Sequence, residues 1–142
     1  MIPASKDLSG KMVSFNTSVK SEIVKVRNVV GYIEGEKKDE FIVVGGHYDH
    51  LGKFDGFIWN GADDNASGTV GVMTVAKAFM ATGKKPEKTI IFAAWTGEEK
   101  GLYGSEYFVK QAQKKKMNIV LDLNYDMIGR DIEKDSLKNM AE

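Results

Sequence analysis

The sequence predicts an α/β domain built on a mixed sheet, with parallel central strands flanked by helices. Three observations carry this prediction. Residues 41–44, 89–95 and 119–125 are short, largely apolar runs, as expected of strands covered on both faces. Between them, residues 66–80 and 101–116 place their apolar side chains at helical spacing. Strand, helix, strand, helix, strand is the order that makes crossovers between parallel strands.

Ahead of this core, residues 11–19 alternate loosely between apolar and polar, as a half-exposed strand would. Residues 24–34 alternate more clearly, with Val24, Val26, Asn28, Val30 and Tyr32 on one face. A charged turn from Gly35 to Asp39 leads into the strand that starts at Glu40, so an antiparallel hairpin is expected. In the first helix the apolar residues fall at 66, 70, 73, 76, 79 and 80, and Gly83 and Pro86 end it. The second helix presents Leu102, Tyr103, Tyr107, Phe108 and Ala112 and closes on Lys114, Lys115 and Lys116, where cations suit the helix dipole. Phe79, Trp95, Tyr103 and Tyr107 are expected in the core. Residues 130–142 are polar with a weak helical tendency.

The composition narrows the functional classes. Lys plus Arg and Asp plus Glu both number 20, so the net charge is zero and nothing favours nucleic acid or an anionic membrane. There are no cysteines, which excludes disulfides and thiolate metal sites. No apolar run is long enough to span a membrane. A chain of 142 residues suggests one domain or part of one.

The chemistry collects at four places. Gly61-Ala62-Asp63-Asp64-Asn65-Ala66-Ser67-Gly68 packs two carboxylates, an amide and a hydroxyl between glycines, directly ahead of the first helix. Asn65 and Ser67 are natural caps for that helix. His47 and Asp49 follow one buried strand, Glu98 and Glu99 follow the next, and Asp126 follows the third. In an open α/β sheet, groups just past the carboxyl ends of neighbouring strands converge on one crevice. Carboxylates crowded together without partners repel one another, and divalent cations neutralise them. One imidazole with several carboxylates suits zinc, or less selectively manganese or cobalt. Asp49 offers a carboxylate to fix the His47 tautomer. Glu98 and Glu99 point different ways in an extended loop, so one can bind metal while the other handles a proton. His50 either lines the site or hydrogen-bonds within its loop, the second being favoured. Asp122 is expected to cap or pair within its strand region. Phe57 and Trp59 either rim a substrate pocket or pack as an ordinary loop.

Four segments together resemble the M28 family of zinc peptidases in order and spacing. They are His47-Tyr48-Asp49-His50-Leu51-Gly52, Gly61 to Gly68, Thr96-Gly97-Glu98-Glu99, and Asn124-Tyr125-Asp126-Met127-Ile128-Gly129-Arg130. The resemblance spans roughly residues 20–131 and implies a co-catalytic di-zinc aminopeptidase acting on peptides. It implies that His47 and Asp126 bind one zinc, that Glu99 binds the second and that Asp63 bridges both. It also implies that Glu98 is the general base, that Asp49 orients His47 and that the Asp63–Asp64 peptide is cis. A complete member has a further histidine downstream as the last ligand of the second metal. Here the histidines are His47 and His50, so an incomplete catalytic domain over 23–142 is expected, preceded by a leading segment over 1–22. Such a chain holds one zinc or two, and its alternative is a metal-binding but inactive fragment. A single-zinc glutaminyl cyclase fits less well, because both acidic pairs are intact. The opening Met1-Ile2-Pro3 resembles the interior of an exported precursor. An unpaired sheet edge is expected to favour self-association.

Overall fold

The computed structural model describes Gly10, Met12 and residues 14–130, and residues 14–28 form neither helix nor strand. The strand expected over 11–19 is therefore not formed where it is described. The polar tail beyond Arg130 lies outside the described residues.

The elements follow in order. They are β1 (Val29–Ile33), β2 (Lys37–His47), a short hairpin of β3 (Lys53–Phe54) and β4 (Phe57–Ile58), a kinked turn (Ala62–Ser67), α1 (Gly68–Ala81), β5 (Lys88–Trp95), α2 (Tyr103–Lys114) and β6 (Asn118–Asn124). The main sheet has the order β1-β5-β2-β6. β2 runs parallel to both neighbours, with Val44 opposite Phe92 on β5 and Leu123 on β6. β1 closes the far side antiparallel to β5, with Gly31 opposite Phe92.

This corrects the expected hairpin. β2 is apolar enough to be buried on both faces, so its flanks are taken by parallel strands that arrive through helices. β1 instead lines the outside of β5. The charged turn between them is clamped onto the start of β5, where Gly35 N–H donates to Thr89 Oγ1 at 3.1 Å and Lys37 N–H to the Glu87 carbonyl at 2.8 Å.

Each face of the sheet carries its own core, because alternate strand residues point opposite ways. Val44, Ile90 and Phe92 pack under Val72, Val75 and Ala76 of α1. Val43, Ile91, Ala93 and Trp95 face the other way, under Phe108 of α2, whose ring lies 5.0 Å from the Trp95 indole. Gly45 makes room for that indole, since a Cβ there would strike Trp95 Nε1. Trp95 is thus core as expected, but Tyr103 and Tyr107 are 60% and 62% exposed. α2 turns Gly104, Phe108 and Ala112 inward instead. Gly104 sits against Thr96, accepting from Asn28 Nδ2 at 2.8 Å and donating to the Thr96 carbonyl at 2.8 Å. That contact sets the rotation of the helix.

Candidate metal centre

The functional side chains gather at the carboxyl ends of β2, β5 and β6. His47 is the last residue of β2 and is 3% exposed. Its Nδ1 lies 3.1 Å from the main-chain oxygen of Asp49, to which the N–H donates. With the proton held there, Nε2 points into the crevice with its lone pair. It lies 3.1 Å from Asp64 Oδ1, 3.6 Å from Asp126 Oδ1 and 3.9 Å from Glu98 Oε2, and it has no hydrogen-bond partner. A cation between this buried ring nitrogen and the three carboxylates would satisfy all four groups.

Two groups of potential ligands result, His47 with Asp64 and Asp126, and His50 with Asp64 and Glu99. Within each, the ligand atoms lie within 4.8 Å of one another. The donor set fits zinc, whose usual protein ligands include imidazole nitrogen and carboxylate oxygen. Asp64 belongs to both groups.

The shared position was expected at Asp63. Asp63 instead turns away, with Oδ1 accepting from Gly129 N–H at 2.9 Å and Oδ2 from Arg130 Nε at 2.9 Å. The Gly129 hydrogen bond, then Arg130, holds its carboxyl below the usual range. The cis peptide likewise joins Asp64 to Asn65, one bond later than expected. The chain kinks within Ala62–Ser67, where Asp64 and Asn65 leave helical φ/ψ and turn the two carboxylates in different directions. Two adjacent aspartates are chemically alike in sequence, and only this backbone path decides which faces the crevice.

Asn65, 2% exposed, ties the turn to the loop after β6. Its Oδ1 accepts from Gly68 N–H at 3.0 Å and Met127 N–H at 3.2 Å, and its Nδ2 donates to the Tyr125 carbonyl at 2.9 Å. It caps α1 as expected. Ser67 does not, because it is already helical and its hydroxyl donates to the Asp63 carbonyl at 2.6 Å.

Asp49 acts on both neighbours, in a manner unlike the one expected. Its carboxylate is 3.7 Å from His47 Nδ1, and the main-chain oxygen takes the hydrogen bond instead. The carboxylate accepts from Glu98 N–H at 3.1 Å and so anchors the loop that presents Glu98 and Glu99. Burial, reinforced by Glu99, Asp126 and Asp49, raises the Glu98 pKa above the usual carboxylate range against the opposing effect of His47. His50 Nδ1 lies 2.8 Å from Glu99 Oε1, so His50 faces the site rather than only bracing its own loop. Asp122 has no ion-pair partner among the described residues. It lines a cavity of about 330 Å³ with His47, Trp95, Glu98 and Asp126. Phe57 and Trp59 lie on the β3–β4 hairpin and its exit, 6.3 Å apart and exposed.

An open α/β sheet with imidazole and carboxylates clustered at its strand ends is an arrangement that can hold divalent cations. A solved structure of Legionella LapA shares the fold, with a TM-score of 0.62 and 29% identity over 70% of this chain and 27% of that one. The model of peptidase family M28 matches residues 28–141, and the chain belongs to that family. Leucine aminopeptidase 2 of Arthroderma otae is 38% identical over 128 residues, 89% of this chain and 24% of its own length. A glutamate carboxypeptidase 2 homolog of Caenorhabditis elegans is 38% identical over 109 residues, 73% of this chain and 13% of its own length. The chain thus spans a quarter or less of these two relatives.

Proposed function

We propose that residues 23–142 form part of the catalytic domain of a di-zinc aminopeptidase that removes the N-terminal residue of peptides. The observation that carries this reading is the buried, unpartnered Nε2 of His47, aimed at Asp64, Asp126 and Glu98. His47 and Asp126 would hold one zinc, Glu99 the second, and Asp64 both. When bound, the two ions supply Lewis acidity for the scissile carbonyl and acidify water.

The remaining steps belong to the chain's own groups. Glu98 hangs beside His47 from a loop anchored by Asp49. Its raised proton affinity suits a carboxylate that takes a proton from the attacking water and returns it to the leaving amine. Glu98→Gln should lower turnover by roughly 10²–10⁴-fold while leaving metal stoichiometry unchanged. A variant with near-parental turnover on aminoacyl anilides would show that the base lies elsewhere.

The aminopeptidase reading is preferred to a carboxypeptidase one because the leucine aminopeptidase match extends over more of the chain, 89% against 73%. Aminoacyl anilides and N-blocked peptides ending in glutamate separate the two. A second reading, metal binding without turnover by these residues alone, is favoured by the chain covering only 13–24% of those relatives. Robust zinc-dependent release of free amine by this chain would sink it. A single-zinc glutaminyl cyclase is disfavoured by the sharing of Asp64 between two ligand groups.

A further inference from the structure

β6 carries an irregularity that re-aims one of its side chains. Phe41 pairs with Ile119, yet Ile42 pairs with Leu121, so Val120 is the extra residue. Beyond it Asp122 stands opposite Val43, on the face of the sheet that packs under Phe108 of α2. An unbroken register would set Leu121 against Val43 instead. The bulge thus turns an acid, in place of a leucine, toward α2.

Asp122 lines a cavity of about 330 Å³ that also reaches the candidate metal centre. His47, Glu98 and Asp126 line it at the strand ends. Asp122 sits two residues before the end of β6, roughly 7 Å further down the strand. Most of the remaining wall is apolar, with Trp95, Leu102, Phe108 and Val109 among its residues. Partial desolvation there raises the proton affinity of Asp122, a cost that a neighbouring cation offsets.

A carboxylate at the far end of an apolar slot is complementary to a methylene stem with a cationic tip, as in lysine or arginine. A neutral aliphatic side chain would press hydrocarbon against the acid without pairing it, which disfavours such a ligand. With Asp126 committed to a metal and Glu98 to the proton, Asp122 is the acid of this cavity that remains for the substrate.

We infer that this cavity receives the side chain of the substrate's N-terminal residue and that Asp122 selects a basic one, lysine or arginine. This inference rests on the aminopeptidase reading above and adds to it the substrate class. Asp122 sets selectivity and takes no part in proton transfer.

Lysine and norleucine hydroxamates share a zinc-binding head and differ only in the terminal ammonium. Their affinities for the zinc-loaded 142-residue chain, measured by calorimetry, therefore isolate the contact with Asp122. The lysine compound should bind roughly 10- to 100-fold more tightly, as expected of a hydrogen bond to a charged group. Asp122→Asn should bring the ratio of the two affinities close to one, and Asp122→Glu, which keeps the charge, should retain most of it. Zinc stoichiometry is measured first on every variant, and circular dichroism confirms that each is folded. Equal affinities in the parent, an undiminished ratio in Asp122→Asn, or zinc uptake without binding of either hydroxamate would overturn the assignment while leaving the metal reading intact. No zinc uptake by the folded parent would overturn both.

Discussion

Asp63 and Asp64 are adjacent and chemically identical, yet the fold gives them different tasks. Asp64 faces His47 at 3.1 Å, whereas Asp63 accepts from Gly129 and Arg130 and braces the loop that carries Asp126. Asp64→Asn should therefore weaken metal binding by more than the roughly 10–100-fold typical of outer partners, and Asp63→Asn by less. Calorimetric titration of both variants decides between them, and equal losses would contradict the division of roles. Asp63 should reveal itself in the pH dependence of stability. Its folded pKa is lowered, so its contribution is present above the ordinary aspartate range and lost as the pH falls through the folded value. Asp63→Asn should thus be less stable than the parent at neutral pH and converge with it in acid, as read by urea unfolding. That an acidic pair would meet a histidine was legible from the motif. Which aspartate would do so was not, because the answer lies in the φ/ψ path of a single kinked turn.

The elements were the most legible part of the chain. β5, α2 and β6 fall within a few residues of their predicted bounds, because apolar runs and helical spacing directly reflect burial. α1 is positioned by a close approach that periodicity does not reveal. A Cβ on Gly68 would collide with the Tyr125 carbonyl and with the Asn65 amide, which itself bonds Gly68 N–H. Gly68→Ala should destabilise the fold by about 1–3 kcal/mol, the usual range for overpacking, and loosen the loop bearing Asp126. A denaturation midpoint equal to the parent's would show that the loop yields freely. On β6, Asp122 is exposed beside the cavity it lines, and partial desolvation there raises its pKa. Between the ordinary aspartate value and the raised one, the folded state binds more protons than the unfolded state. Stability should therefore fall as the pH rises through that window. Asp122→Asn should remove this slope, and a constant offset from the parent at every pH would argue against it.

Across the molecule, the sheet leaves β1 at one edge and β6 at the other. Both carry exposed apolar side chains, among them Val29 and Tyr32 on β1, and Leu121 and Leu123 on β6. Open strand edges with apolar side chains are templates for pairing with another chain. The 142-residue chain should accordingly self-associate with rising concentration in sedimentation velocity. A single monomeric boundary across the concentration range would rule this out. None of the helices among the described residues is long and apolar enough to cross a membrane.

Local pattern alone was enough to indicate an α/β layer with parallel central strands, and four spaced motifs were enough to indicate a metallopeptidase. Both signals are short in range, one set by burial period and the other by residue type at fixed spacing. Three features depended on contacts between distant segments. β1 pairs with β5 rather than with its sequence neighbour, because β2 has no free flank. Asp64 rather than Asp63 falls in both groups of potential ligands, because Asn65 pins the turn to Tyr125 and Met127 some sixty residues away. His50 turns toward Glu99 across 49 residues of chain, on a surface cleared by Gly61. Such contacts leave no periodic trace in the chain, since each depends on two backbones meeting only after the sheet has closed.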